Sequence, residues 1–198
     1  MKKFKGVPQP KPPQNYGKTI GWIMGAILIL STFGFILGNT TNNDTTTTYN
    51  GYAIEATPEG LFVNIAGRRV SFSTYPDAIS DLKPDQAIVD LVKNTRALVI
   101  TYNPNEERPE LFGGAQYALE QELTDTYVMR ALTNATGYEL PELTCANATA
   151  LAPVLYYVSG NTTRYTLKNN CIIGEVTIAE DVNLLKDAFL YSYYGVFP

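Results

Sequence analysis

The sequence contains no histidine, and its 198 residues include only two cysteines, Cys145 and Cys171. Without histidine the chain has neither a Ser-His-Asp nor a Cys-His catalytic arrangement, and no imidazole for general acid–base work. A structural zinc site takes four Cys or His ligands, usually in close pairs, which argues strongly against an intrachain zinc site. No glycine-rich loop that would cradle a phosphate is present. We identify no catalytic residue, metal ligand or cofactor-binding residue, and the sequence favours binding over catalysis.

Acidic residues are absent from the first 38 positions, and residues 19–38 carry no charge at all. A helix of twenty residues is about 30 Å long, which matches the hydrocarbon core of a bilayer. Lysines precede this run and the first charge after it is Asp44, so the positive-inside rule places the N-terminus in the cytoplasm. The sequence therefore predicts one transmembrane helix at residues 19–38, used as an uncleaved signal-anchor. A cleaved signal peptide is the alternative, but its apolar core is normally shorter.

Basic residues are scarce in the part that follows the apolar run. Residues 39–198 contain 10 Lys or Arg and 19 Asp or Glu, a net charge of −9, which argues against a nucleic-acid partner. The same part contains five N-glycosylation candidates of the Asn-x-Ser/Thr type: Asn39, Asn43, Asn134, Asn147 and Asn161. Both observations agree with a single-pass protein of the cell membrane whose C-terminal domain is extracytoplasmic.

The two cysteines are 26 positions apart and flank two of the glycosylation candidates. An oxidising compartment and an even count of cysteines favour a structural disulfide between Cys145 and Cys171. Redox catalysis usually needs an exposed thiol with a near neighbour, which this spacing does not provide. A redox-active pair, intermolecular bonds and free thiols remain as alternatives.

The composition divides the chain into four parts. Residues 1–18 form a basic, proline-rich cytoplasmic tail, residues 19–38 the predicted span, and residues 39–50 an Asn/Thr-rich flexible linker. Residues 51–198 are long enough to bury a core of their own as one extracytoplasmic α/β domain. Within it, residues 51–95 are predicted to form a small β-meander and helices, and residues 96–198 a second sheet with flanking helices.

Hydrophobic periodicity gives the element order of the domain. "YAIEAT", "LFVNIA" and "RRVSFS" alternate as three strands, and "PDQAIVDLVKN" has a helical period. "RALVITYNP", "ERPELFGGAQYALEQELT" and "TYVMRALT" predict a βαβ unit with parallel strands. The stretch "DVNLLKDAFLYSYYG" predicts a final helix with Asp181 as N-cap and Gly195 at its end.

From Arg96 onward we interpret the order as β-α-β-(short α)-β-β-α, and "LAPVLYY" places a proline immediately before the third strand. In both respects residues 96–198 resemble a thioredoxin-like core, which implies a mixed sheet with flanking helices. The family's Cys-x-x-Cys motif follows the first strand, where this chain reads "YNPNEERPEL". The resemblance therefore implies a thioredoxin-like fold without that reaction centre. It also implies a peptide contact through backbone groups at a sheet edge, at Ala152 and Pro153.

The layout of nearly the whole chain resembles uncharacterised archaeal single-pass membrane proteins. The resemblance rests on the basic tail, the single apolar run, the Asn/Thr spacer, "TCANAT…APVLYY…NNCII" and the final "KDAFLYSYYG". It implies a membrane-tethered α+β domain and brings no activity with it.

The sequence thus favours a membrane-anchored extracytoplasmic domain that binds a peptide or protein partner without catalysing a reaction. Two alternatives from other classes remain. One is a thiol–disulfide oxidoreductase that uses Cys145 and Cys171, and the other is a structural subunit of a surface layer or filament.

Overall fold

The computed structural model describes the backbone of residues 16–39 and 45–198, and the side chains of residues 20–31 and 45–198. The chain divides into two compact units, Met1–Asn43 and Asp44–Pro198. The first contains helix α1 (Tyr16–Asn39). No helix within the described residues is sufficiently long and apolar to cross a membrane. The predicted span at 19–38 falls within α1, but the side chains at 19 and 32–38 lie outside the described residues. The predicted tail at 1–18 also lies outside the described residues, apart from the backbone of residues 16–18.

The first sheet of the second unit is antiparallel, and its strands follow each other in chain order: β1 (Thr45–Tyr49), β2 (Tyr52–Thr57), β3 (Gly60–Ile65) and β4 (Arg68–Phe72). The turn after β1 has φ of 47° at Asn50 and 83° at Gly51. Positive φ at both turn residues matches the twist of the strands, and Asn-Gly is the favoured sequence for it. The predicted meander of β2 to β4 is confirmed. Residues 45–50 differ from the predicted flexible linker, because they form a fourth strand and its turn.

The second sheet has the order β6-β5-β7-β9-β8. Its strands are β5 (Ala97–Tyr102), β6 (Tyr127–Arg130), β7 (Val154–Ser159), β8 (Arg164–Lys168) and β9 (Cys171–Val176). All neighbours pair in parallel except β8, which is antiparallel to β9. Helix α3 (Pro109–Glu122) connects β5 to β6, so the predicted βαβ unit is confirmed.

The remaining helical elements are helix α2 (Gln86–Lys93), helix α4 (Val182–Tyr193) and the short 3₁₀ segments Pro76–Leu82, Cys145–Asn147 and Ala179–Asp181. Helix α4 ends as predicted: Gly195 has φ of 72°, and the Val196 N–H donates to the Tyr191 carbonyl at 2.8 Å. The Asp181 side chain does not cap the helix; it accepts a hydrogen bond from Thr163 Oγ1 at 2.6 Å. The domain is therefore a mixed α/β structure with two sheets.

Three strands, β7, β8 and β9, lie between the short 3₁₀ segment Cys145–Asn147 and the last helix, where we predicted two. The predicted order is therefore wrong by one strand. Each of "VLYYV", "TRYTL" and "CIIGEV" forms its own strand, because a turn with φ of 55° at Asn169 separates the last two. The thioredoxin-like arrangement stays a prediction.

Helix α4 packs against strands of both sheets and is buried along most of its length. Its Tyr191 ring stacks on Phe72 of β4 with centroids 3.9 Å apart, and its Phe189 ring lies 6.1 Å from that of Tyr165 of β8. Both sheets contribute to one hydrophobic core. A smaller cluster on the other face of the second sheet contains Val99, Ala131, Val154 and Cys171, with Leu143 and Ala148 packed against it.

Candidate functional site

The two cysteines meet on the face of the second sheet that α4 does not cover. Cys145 and Cys171 form a disulfide with Cα atoms 5.3 Å apart, so the predicted pairing is confirmed. Cys171 begins β9 and is 3% exposed, whereas Cys145 is half-buried. The bond fastens the 3₁₀ segment Cys145–Asn147 to the start of β9, next to the edge strand β8. A shallow depression of about 440 Å³ opens beside it, and Lys168 and both cysteines contribute to its walls.

Three of the predicted glycosylation candidates lie among the described side chains, and all three are exposed: Asn134, Asn147 and Asn161. Asn147 Oδ1 accepts a hydrogen bond from the Thr144 N–H at 2.9 Å, and Asn134 Oδ1 accepts one from the Thr136 N–H at 3.1 Å. Within the described residues none of the three Nδ2 atoms, where a sugar would attach, donates a hydrogen bond. Asn43 and the side chain of Asn39 lie outside the described residues.

The predicted peptide contact at Ala152 and Pro153 does not lie at a sheet edge. These residues lead into β7, which is an interior strand between β5 and β9. The Pro153 carbonyl accepts from the Val99 N–H at 2.9 Å. The Ala152 carbonyl accepts from the Thr149 N–H at 3.1 Å, and the Ala152 N–H donates to Thr149 Oγ1 at 3.0 Å. The expected sheet edge at this position is therefore wrong, and the contact itself stays a prediction.

In the part of the chain that the structure describes, β1 is instead an edge strand of the first sheet. This strand pairs only with β2 among the described strands, and four of its five residues are exposed. Tyr49 pairs with Tyr52 across the two-residue turn, so this pair is hydrogen-bonded. Hydrogen-bonded and non-hydrogen-bonded pairs alternate along an antiparallel ladder. The backbone N–H and C=O of Thr46 and Thr48 therefore point away from β2, where an added strand could bind them.

Among the residues that the structure describes, none blocks the outer edge of β1 at residues 46–49 in the way that proteins usually block such edges. Protein edges are commonly protected by charged residues, proline or a bulge, and β1 consists of four threonines and a tyrosine. The edge strand β4 differs, because its Ser71 N–H donates to Glu122 Oε1 at 3.2 Å. The edge strand β8 differs too, because it carries Arg164 and Lys168. β1 is thus more exposed to strand addition than β4 or β8.

A depression of about 430 Å³ lies directly beside β1. Thr47, Thr48 and Tyr49 line it from β1, and Thr47 and Tyr49 share a sheet face with Ile54 of β2, which also lines it. The 3₁₀ segment Pro76–Leu82 and the residue before it supply the rest of the lining: Tyr75, Asp77 and Ala78. Most of the surface that lines the depression is apolar. Among the lining residues, Asp77 carries a charge. We call this feature the β1 depression.

The position of β1 is fixed by contacts with the chain's C-terminus. Asn50 Nδ2 donates to the Val196 carbonyl at 3.0 Å, and the Tyr49 ring meets Phe197 edge-on with centroids 6.2 Å apart. Phe197 in turn packs on Tyr191 of α4. The hairpin of β1 and β2 is therefore held by the core, while the outward backbone groups of Thr46 and Thr48 have no partner among the described residues.

Buried polar groups elsewhere serve the fold. Tyr157 and Tyr165 share a hydrogen bond of 3.0 Å, and Tyr165 donates to the Leu185 carbonyl at 2.9 Å. Burial raises the pKa of both phenols. Half-buried Tyr102 and Tyr156 occur in the neighbouring parallel strands β5 and β7; burial raises the pKa of each, and the charge of Glu106 raises that of Tyr156 further. All four tyrosines are therefore neutral at physiological pH.

Metal ligands are not assembled in the part of the chain that the structure describes. No group of three or more His, Cys, Asp or Glu side chains there is placed to hold an ion. No protein-family model, curated protein or solved structure matches the chain. The thioredoxin-like and archaeal resemblances therefore stay predictions.

The β1 edge is not among the sequence predictions, because "NTTNNDTTTTYN" has the composition of a low-complexity spacer. The signal that identifies the strand is the Asn50–Gly51 pair, which lies between "TTTTY" and "YAIEA" and is the strongest short-range indicator of a hairpin. Threonine, moreover, has a high preference for strands.

Proposed function

We propose that the chain is a membrane-anchored extracytoplasmic interaction domain that binds an extended peptide segment of a partner by strand addition to β1. The observation that carries this proposal is the outer edge of β1 at Thr46 and Thr48, which has no partner among the described residues and lies beside the β1 depression. In strand addition, backbone hydrogen bonds supply affinity, and pockets for alternate side chains supply specificity. β1 offers both, because the N–H and C=O groups of Thr46 and Thr48 point outward and Thr47 faces the depression.

The anchor and the extracytoplasmic location are supported by separate features. The uncharged run at 19–38 with lysines before it supports the anchor, as does the exposure of Trp22 and Leu30 on α1, 82% and 71%. The Cys145–Cys171 disulfide and the three exposed asparagines of the glycosylation candidates support an oxidising compartment outside the cytoplasm.

Strand addition is tested with the full chain in detergent and a library of blocked hexapeptides as the probe. Thr48→Pro removes the outward N–H of β1 but no bond to β2, so we expect a folded variant that binds none of the selected peptides. Thr48→Ser keeps the N–H and is the matched control, which should bind like the parent chain. Equal binding by the proline variant, or a library that yields no binder at all, would refute the proposal.

Thiol–disulfide exchange is the second candidate, and the depression lined by both cysteines is the observation that favours it. A substrate thiolate would attack Cys145 Sγ, form a mixed disulfide and release the Cys171 thiolate. This function requires an easily reduced bond with a reduction potential above about −250 mV, whereas structural disulfides lie below about −300 mV. Titration of the pair against a glutathione buffer distinguishes the two.

A further inference from the structure

We infer that the β1 depression is a recognition site for a lysine or arginine side chain of the added peptide, at the residue that pairs with Thr47. This inference rests on strand addition to β1 and specifies the class of peptide that binds there.

The register of an added strand decides which of its side chains reaches the depression. Residues opposite each other in an antiparallel pair share a sheet face. Thr47 pairs with Ile54 of β2 and lies on the face that borders the depression. A residue added opposite Thr47 therefore directs its side chain into the depression, and its two neighbours in the peptide direct theirs to the outer face.

The lining of the depression suits a long side chain with an apolar stem and a cationic end. Ile54, Tyr49, Tyr75 and Ala78 provide apolar and aromatic walls. Lysine and arginine bury their methylene stems on such walls while the charged end stays hydrated. Tyrosine rings also attract a cation that lies over their faces.

The charge at the depression also selects a cation. Asp77 is exposed, and no lysine or arginine of the described residues forms an ion pair with it. Its carboxylate is therefore available to a ligand. The net charge of −9 over residues 39–198 attracts a basic peptide over a longer range.

A second copy of the chain fits the depression poorly. Two β1 strands could pair antiparallel about Thr47, because Thr46 of one copy would then face Thr48 of the other. This arrangement places only another threonine opposite Thr47, which leaves most of the 430 Å³ unfilled and Asp77 unpaired. A partner peptide with a long basic side chain is thus the better occupant.

The test uses blocked pentapeptides of the sequence Thr-Val-X-Val-Thr and the full chain in detergent, with X as lysine, arginine, norleucine or glutamate. We expect lysine and arginine to bind about five-fold more tightly than norleucine, the upper range for an exposed ion pair, and about 20-fold more tightly than glutamate. N-methylation of the residues beside X should abolish binding, whereas N-methylation of X, whose N–H points away from β1, should not.

Variants of the 3₁₀ segment Pro76–Leu82 identify the carboxylate responsible. Asp77→Asn should remove the preference for lysine over norleucine. Asp81→Asn is the matched control, because Asp81 is exposed on the same segment but does not line the depression. It should retain at least half of the preference.

The outcomes separate this inference from the proposed function. Peptides that bind, lose binding with Thr48→Pro and show no preference for a cation would overturn the inference and leave strand addition intact. Absence of binding by every peptide would overturn both. A dimer in sedimentation experiments that Thr48→Pro dissociates would show that a second copy occupies the edge, and would overturn the peptide as occupant.

Discussion

Lys186 Nζ lies 2.8 Å from Asp187 Oδ1 inside the core, where the two side chains are only 7% and 0% exposed. Lys186 is therefore the ion-pair partner of Oδ1. Asp187 Oδ2 accepts from the N–H groups of Ser73 and Thr74 at 2.8 and 2.9 Å. Asp187 therefore attaches the segment after β4, and through this segment the first sheet, to α4.

Removal of the buried cation should destabilise the fold. Lys186→Met leaves the Asp187 carboxylate buried without its countercharge, which should lower the free energy of unfolding by about 3 kcal/mol at pH 7. Urea unfolding followed by circular dichroism measures this loss. Lys168→Met, at an exposed lysine of β8, is the control and should change stability by less than about 0.5 kcal/mol.

The same variant has a predictable pH dependence. Burial raises the pKa of Asp187 above its ordinary value, and the positive charge of Lys186 opposes this increase. A folded-state pKa above the unfolded one stabilises the fold below the unfolded pKa, and this contribution is lost as the pH rises through the folded pKa. Lys186→Met raises that pKa further, so its deficit should shrink as the pH falls from 7 to 5. A deficit that stays constant over this range would contradict the argument.

Loss of the disulfide should also destabilise the domain. The bond closes a loop of 26 residues, and the chain-entropy model assigns about 3.5 kcal/mol to such a loop. The double variant Cys145→Ala and Cys171→Ala should therefore unfold at a lower urea concentration, with a steeper slope because its unfolded chain is less compact. A loss below about 1 kcal/mol would favour an exchangeable bond over a structural one.

Glycan occupancy tests the location of the domain. In a host that N-glycosylates exported proteins, the intact mass should fall by one glycan with each of Asn134→Gln, Asn147→Gln and Asn161→Gln. The three asparagines are exposed and their Nδ2 atoms are free among the described residues. An unmodified mass for the parent chain, together with protease protection in intact cells and cleavage after permeabilisation, would refute the extracytoplasmic assignment.

Much of the fold could be predicted because local patterns and long-range packing agree. In the βαβ unit, the strands β5 and β6 precede and follow the amphipathic helix α3 along the chain. Helix α4 ends at Gly195, and glycine adopts the positive φ at this position without strain. The cysteine pair was predictable too, because compartment and residue count restrict its chemistry. The βαβ unit and the end of α4 depend on residues that lie close together in sequence, and the cysteine pair depends on one disulfide bond.

The candidate site was harder to predict, since it depends on what the tertiary structure leaves uncovered. Thr46 and Thr48 are ordinary residues in sequence, and only the one-sided pairing of β1 makes their backbone groups available. The depression is lined by Ile54 of β2 and by Asp77 of the 3₁₀ segment Pro76–Leu82. The hydrophobic periodicity of the sequence does not predict that these two elements are neighbours. The edge predicted at Ala152 and Pro153 is wrong because the tertiary structure covers it. Three strands follow the 3₁₀ segment Cys145–Asn147, and β7 lies in the interior of the sheet between β5 and β9.

A proline at the neighbouring position tests the register of β1. The N–H of Thr47 faces β2, so Thr47→Pro should break a ladder hydrogen bond and destabilise the hairpin, whereas Thr48→Pro should not. Comparison of the two variants by thermal unfolding and by the chemical shifts of Ala53 and Ile54 measures the difference. Equal stability of the two variants would mean that the outward-facing residues are assigned incorrectly.

Amide hydrogen exchange along β1 tests the central claim most directly. In the free chain the Thr46 and Thr48 amides should exchange rapidly, while the Thr47 amide, bonded within the sheet, should be protected. Saturation with the lysine-containing pentapeptide should slow exchange at Thr46 and Thr48 by about ten-fold or more and leave Thr47 nearly unchanged. Rapid exchange at Thr46 and Thr48 in the presence of bound peptide would show that the peptide does not add to this edge, and would contradict the account.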